Sequence, residues 1–203
     1  MAANPPPTRP RMTAAQRREQ LLDVTKAIVG EQGFHAVSIE AVARRAGITR
    51  PIVYGHFQDL GRLLEAMLER ESSRALGQLA AILPTDVTSG DPRDALLAAL
   101  AGYLEAVRAD PVTWRLVLMP PEGAPEALRE RINHGRDAII AILAEVVRPG
   151  LAPGRGSPDP ALTARLVSAV ADEAARITLT DPEQYPALRI LDQARWLLDQ
   201  LGG

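Results

Sequence analysis

Between Ser38 and Phe57 the chain reads SIEAVARRAGITRPIVYGHF, two short helical periods hinged on one glycine. Ile39, Val42, Ala43 and Ala46 fall at i, i+3, i+4 and i+7, one face of a helix, and Ser38 stands where a side-chain oxygen caps the first turn. Gly47 ends that helix, since glycine takes the left-handed conformation a sharp turn requires. After Ile48, Thr49 is placed to cap a second helix, with Pro51 in its first turn, where a missing N–H costs nothing. Ala43 is small enough to let the second helix cross close by. Ile48, Val53 and Phe57 offer the apolar faces that lock both helices onto a preceding one. The spacing is that of a helix-turn-helix; an ordinary αα-hairpin with a small residue at its crossing satisfies it too.

The rest of the chain is read as helices around this unit. Residues 1–11, MAANPPPTRPR, carry four prolines and no periodicity, which predicts a disordered arm. Its two arginines either touch a phosphate backbone or stay solvated. Thr13 to Gln16 form a capping-box pattern opening a helix to about Glu31, with Gly33 as its stop. A fourth helix is expected from Leu60 to Ile82, with Leu63, Leu64, Met67 and Leu68 on one face. Asp91-Pro92, Asp110-Pro111, Asp159-Pro160 and Asp181-Pro182 each set a capping residue before a proline suited to the first helical position. They predict helices near 92–109, 111–118, 160–179 and 182–201, with a further one at 125–148. Pro84 with TSGDP, and RPGLAPGRGSPDP at 148–160, read as loops. With no alternating strand pattern and few aromatics, the fold class is all-α. The expected organisation is an arm (1–11), a three-helix helix-turn-helix domain (12–58), and a helical domain entered through a long fourth helix (59–203).

Charge separates the two parts. From Met1 to Phe57 there are eight basic residues against four acidic, while the whole chain carries a net charge of −2. A basic head on an acidic body suits a head that meets a polyanion, although a fluctuation of a few charges would look the same. The absence of cysteine excludes disulfide and thiolate chemistry. No apolar run approaches the roughly 18 residues of a membrane span, and the cytoplasm is the expected compartment. No phosphate loop, nucleophile motif or paired carboxylate constellation points to an enzyme.

In a helix-turn-helix the second helix enters the major groove with its first residues against base edges. Thr49, Arg50, Pro51 and Ile52 occupy those positions. Arg50 can pair bidentately with a guanine, and Ile52 can cover a thymine methyl. Gly55, in mid-helix at a cost of about 1 kcal/mol relative to alanine, marks either a close backbone approach or neutral drift. The run VSIEAVARRAGITRPIVYGHFQDLGRLLEAML resembles the DNA-binding signature of the TetR (tetracycline-repressor-like) transcriptional regulators, over roughly residues 13–70. The stretch PVTWRLVLMPPEGAPEALRERI (111–132) looks, more loosely, like regulatory domains of actinobacterial members. The resemblance implies that Thr49, Arg50, Pro51, Ile52 and Gly55 face base edges. It implies further that Ser38, Tyr54 and His56 contact phosphates, with Arg44 as a helper. One departure stands out: Leu60 occupies the place where the family usually has a phosphate-holding lysine, and Arg62 is at best a displaced substitute.

The acidic body holds long amphipathic helices with more than one apolar side. Leu188, Leu191, Arg195 and Leu198 make one stripe of the last helix and Ile190, Ala194, Leu197 and Leu201 another. Leu162, Leu166, Val170 and Ile177 form a stripe on the helix before it. One side can pack within the subunit and the other against a partner, or both within a large monomer. Family members dimerise through their last two long helices, which makes Leu166, Val170, Ile177, Leu191, Trp196 and Leu198 the candidate interface of a homodimer. Tyr103, Trp114, Leu118, Met119 and Met67 either line a pocket for a small-molecule effector or are simply core. His134 and Glu130 form an i, i+4 surface pair; no metal or cofactor is expected. The resulting expectation is a dimeric, ligand-responsive regulator, in this family most often a repressor, bound to a pseudo-palindromic double-stranded DNA operator and released by its effector. The alternative is a helical protein–protein interaction module on the same fold that has lost operator binding.

Overall fold

The computed structural model describes residues 12–83, 91–120, 126–148 and 159–201. Among these residues are nine α-helices, one short 3₁₀ turn and no strand: α1 (Ala14–Gln32), the 3₁₀ turn (Phe34–Ala36), α2 (Ile39–Ala46), α3 (Arg50–His56), α4 (Leu60–Ile82), α5 (Pro92–Ala109), α6 (Pro111–Leu118), α7 (Glu126–Val147), α8 (Pro160–Thr180) and α9 (Ala187–Leu201). The expected arm (1–11), the loop over 84–90, residues 121–125, most of the loop over 148–160 and the side chain of Leu201 lie outside the described residues. The chain divides into two compact units, Met1–Met67 and Leu68–Gly203, so the division falls within α4.

In the first unit local chemistry sets each helix end. Thr13 and Gln16 cap α1 reciprocally: the Thr13 N–H donates to Gln16 Oε1 (2.9 Å) and the Gln16 N–H to Thr13 Oγ1 (3.2 Å). Gly33, at φ 84°, stops the helix. Ser38 Oγ accepts from the Ala41 N–H at 3.1 Å. At the other end of α2, Gly47 adopts φ 67°, ψ 35°. The Ile48 N–H then reaches Ala43 O (3.0 Å) and the Gly47 N–H reaches Arg44 O (3.2 Å), the paired bonds of a Schellman stop. Thr49 is extended before α3 but makes no side-chain cap. α1, α2 and α3 contact one another pairwise around Leu21, Leu22, Ile28, Val42, Ala43, Val53 and Phe57, all buried. Leu63 and Met67 from the start of α4 are buried as well.

The second unit is built on α5, α6 and α7 packed against α8, with α9 against α5. Asp91, Asp110 and Asp159 cap α5, α6 and α8, accepting from the amides of Arg93, Thr113 and Leu162. Asp181-Pro182 behaves differently and corrects the expected helix over 182–201. Asp181 closes α8, residues 182–185 form a turn in which Asp181 Oδ1 accepts from the Gln184 N–H, and α9 begins only at Ala187. The reason is Pro186, which bars the preceding Tyr185 from the helical region and delays the start. α9 also turns differently from the expected stripes. Ile190, Leu191, Ala194 and Leu198, drawn from both stripes, are the partly buried set, whereas Leu188 and Leu197 are exposed.

α8 inverts the usual arrangement. Ala164, Ser168, Ala174, Ala175 and Thr178 point inward, while Leu162, Leu166 and Val170 point outward. Between α7 and α4, Gly135 has no room even for a Cβ, because Leu76 fills that space. Glu71 of α4 is fully buried, ion-paired to Arg70 at 2.8 Å, and accepts a short hydrogen bond from the Thr113 hydroxyl of α6. A buried carboxylate is tolerated only with such partners. No helix among the described residues is long and apolar enough to cross a membrane.

Candidate functional site

α3 is a seven-residue helix held by one side only. Val53 and Phe57 are buried, whereas Arg50, Pro51, Ile52, Tyr54 and Gly55 are exposed together with Thr49 before them. His56 and Ser38 are half-buried, and Arg44 of α2 is exposed. The unit therefore presents a contiguous band of these residues on its surface. Ser38 Oγ spends a lone pair on the Ala41 amide, which leaves its hydroxyl hydrogen free to donate. The Tyr54 hydroxyl and the Arg44 guanidinium have no hydrogen-bond or ion-pair partner among the described residues. A Cβ added at Gly55 would meet nothing within 4 Å, so no packing inside the protein requires a glycine there.

Among the described residues, the other arginine and lysine side chains of the unit are engaged. Arg45 forks onto Glu31 of α1 with two contacts of 2.5 Å, and this hydrogen-bonded pairing holds the exposed Glu31 carboxyl below its ordinary range. Arg50 Nη1 lies 2.7 Å from Glu40 Oε1 of α2. Arg18 stacks its guanidinium 5.1 Å from the centre of the Phe57 ring. Leu60 is half-buried at the first position of α4. Asp59 caps that helix by accepting from the Arg62 N–H (2.8 Å), and the Arg62 guanidinium pairs with Glu65 at 2.8 Å. Glu40 escaped sequence reasoning, although an acidic residue in the first turn of α2, ten positions before Arg50, is its visible trace.

The second unit contains a half-open groove of about 410 Å³ lined by Leu79, Leu96 and Leu143 of α4, α5 and α7 and by Leu166, Val170 and Leu197 of α8 and α9, among others. Tyr103, Ser168 and Asp172 border it, and they also border a smaller cavity of about 30 Å³ that Trp114, Leu118 and Arg136 help to line. Tyr103 and Trp114 meet edge-on, with ring centres 5.0 Å apart. The Tyr103 hydroxyl donates to Asp172 Oδ1 at 3.1 Å, and Arg136 Nη2 lies 2.9 Å from Asp172 Oδ2. Burial first, and then the Asp172 carboxylate, push the phenol well above its ordinary range, so it stays protonated. Of the five pocket candidates, Tyr103, Trp114 and Leu118 border these cavities. Met67 and Met119 border neither: Met67 is buried among the residues of the first unit, and Met119 is partly exposed beyond the end of α6. The trace of the groove in the sequence is α5, where Leu96, Leu97, Ala99 and Leu100 supply more apolar positions than one core face uses.

Of the candidate interface residues, Leu166 and Val170 are 60% and 67% exposed and Trp196 is 54% exposed. Ile177, Leu191 and Leu198 are half-buried. His134 and Glu130 are exposed, and no group of three or more His, Asp or Glu side chains among the described residues is placed to hold a metal ion.

Comparison with known proteins agrees with the fold. Residues 21–67 match the family model of bacterial regulatory proteins, tetR family. The HTH-type transcriptional regulator BetI of Serratia proteamaculans is 30% identical over 135 residues, covering 65% of this chain and 68% of that protein. The HTH-type transcriptional activator FasR of Mycolicibacterium smegmatis is 29% identical over 107 residues, 53% of this chain; the chain spans about half of that relative, 48% of its length. Among solved structures, a TetR-like transcriptional regulator from Rhodococcus sp. RHA1 superposes with a TM-score of 0.72 at 23% identity, over 95% of this chain and 100% of the other.

Proposed function

Because the chain belongs to the TetR family of bacterial regulatory proteins, we propose that it is a ligand-responsive, DNA-binding transcriptional regulator, a repressor that grips a pseudo-palindromic operator as a homodimer and is released by a small-molecule effector. The observation that carries the DNA-binding reading is the band on α3 and its neighbours. Thr49, Arg50, Ile52, Tyr54 and Gly55 are exposed on a helix whose other side is anchored by Val53 and Phe57. Arg50, Pro51 and Ile52 open that helix and face base edges, with Thr49 just before it. Ser38, Arg44, Tyr54 and His56 hold phosphates, which fix register without reading sequence.

Exposed apolar residues on α8 (Leu162, Leu166, Val170) and α9 (Leu188, Trp196, Leu197) support the homodimer, since apolar surface of this kind suits an interaction site. A twofold dimer offers two recognition helices to half-sites about one turn, roughly 34–36 Å, apart. The groove of the second unit supports the effector. Coupling is reciprocal: an effector that lowers operator affinity is itself bound less tightly by the operator-bound protein. A protein acting on chromosomal DNA works in the cytoplasm.

Selection of bound sequences from random duplex DNA tests the reading, with the wild-type protein and Arg50→Ala side by side. A recovered palindrome that relaxes at one position in the variant supports a sequence-reading regulator. The absence of enrichment at low salt refutes it. Leu60 favours a second reading, a helical interaction module without operator binding, since it removes one phosphate-holding cation from each subunit. That module would return no enrichment with either protein.

A further inference from the structure

We propose that the groove of the second unit takes an uncharged ligand with a long apolar body and a single hydrogen-bond-accepting oxygen, which passes the wall of Tyr103, Ser168 and Asp172 to lodge in the smaller cavity beside Trp114. This rests on the ligand-responsive reading above and names the chemical class of the effector.

The volume, about 410 Å³, lies within the roughly 300–1,000 Å³ of small-molecule sites. Apolar side chains from α4, α5, α7, α8 and α9 make most of its walls, and such walls hold an apolar body by excluding water. They offer a polar head nothing along their length. Polar chemistry gathers at the wall shared with the smaller cavity, where Tyr103, Ser168 and Asp172 stand; the Thr163 hydroxyl, which also borders the groove, already donates to Asp159 O at 2.9 Å.

The charges at that wall are already matched. Asp172 accepts from Tyr103 through one oxygen and pairs with Arg136 through the other. The phenol stays protonated, so it adds no charge. An anionic or cationic head would shed its hydration there and find no free counter-charge, a cost an uncharged head avoids.

One buried donor lacks what the charges have. Trp114 is 1% exposed, and its Nε1–H has no acceptor among the described residues. The Ser168 hydroxyl stands on the shared wall as a second group able to donate to the same oxygen. Buried donors are rarely left unpaired, and each such orphan calls for a partner. An indole N–H can only donate, so the missing atom at Trp114 is an acceptor. The smaller cavity beside Trp114, about 30 Å³, has room for one oxygen rather than for a chain.

The test uses the full chain, stripped of bound lipid by organic extraction and refolded, in calorimetric titrations with four ten-carbon probes: 2-decanone, 1-decanol, decanoate and decylammonium. The ketone is expected to bind tightest, with both ions weaker by about ten-fold or more. Trp114→Phe keeps the ring and removes the donor. It is expected to weaken the ketone by about ten-fold, the loss of one hydrogen bond, and to leave the ions unchanged. Tighter binding of decanoate or decylammonium than of the ketone overturns the proposal, and this arm needs no variant to fold. Equal ketone affinity in wild type and Trp114→Phe overturns it too, since a water then completes Trp114. Failure of all four probes to bind the wild type also overturns it. None of these outcomes touches operator selection, which decides the regulator reading separately.

Discussion

Arg50 at the start of the recognition helix lies 2.7 Å from Glu40 of the helix before it, so the side chain expected to read a guanine is parked on a carboxylate in the free protein. Both partners are more than half exposed, and an exposed pair of this kind is worth no more than about 1 kcal/mol. Glu40→Gln is expected to release Arg50 and remove a negative charge from the surface proposed to meet phosphates. Operator affinity then rises, by up to about five-fold on that energy, in a fluorescence-anisotropy titration. A fall in affinity would mean that Glu40 orients Arg50 for its base.

Gly55 separates stability from binding. Since a Cβ there meets nothing within 4 Å, Gly55→Ala should stabilise the fold by about 1 kcal/mol through helix propensity alone. In the proposed complex the same methyl group would stand between the α3 backbone and the duplex. The expected outcome is a higher unfolding midpoint in urea together with weaker operator binding. Unchanged binding would assign the glycine to drift.

Leu60→Lys restores the missing cation at the first position of α4. One added phosphate contact per subunit steepens the log–log dependence of affinity on salt by about 0.9 for each subunit. Titrations at several salt concentrations read this slope directly. An unchanged slope shows that position 60 does not reach the backbone.

Much of this was open to inspection in the sequence, and the boundary of what was not is physical. Helix ends written in short-range chemistry came through: the Thr13–Gln16 box, the Ser38 cap and the left-handed Gly47 all depend on residues within four positions of one another. The start of α9 depends on an equally local rule, the restriction Pro186 imposes on Tyr185, but the Asp181-Pro182 pair five positions upstream imitates a helix start and masks it. Long-range contacts left no such trace. Asp172, Arg136 and Tyr103 come from three different helices, and nothing in their spacing joins them. The groove was half legible, since surplus leucines on α5 signal a second apolar face without saying what it faces.

Tyr103 ties the second unit to alkaline pH. Its phenol binds its proton more tightly in the folded chain than in the unfolded one, because of burial and the neighbouring Asp172. The stability this provides is complete below the ordinary phenol value near 10 and falls as pH rises above it, where the unfolded chain ionises first. Denaturant unfolding followed from pH 8 to pH 11 should show that decline in the wild type and a smaller one in Tyr103→Phe. Parallel declines would place the alkaline transition elsewhere.

Val170, two-thirds exposed on α8, is the position at which to break the proposed dimer. Val170→Arg is expected to shift sedimentation toward the monomer without lowering helix content. With two recognition helices no longer linked, operator affinity should fall by roughly 100-fold as avidity is lost. Retention of the dimer by the variant would move the interface off this face.

Leu166, Val170 and Leu197 belong to the exposed apolar face of the last two helices and also border the mouth of the groove. In the proposed dimer the partner that covers this face also roofs the opening. Exchange of the bound molecule then waits on the subunits parting, so its residence time lengthens with protein concentration. A cell holding many copies of this regulator would respond more slowly to a withdrawn signal than a cell holding few.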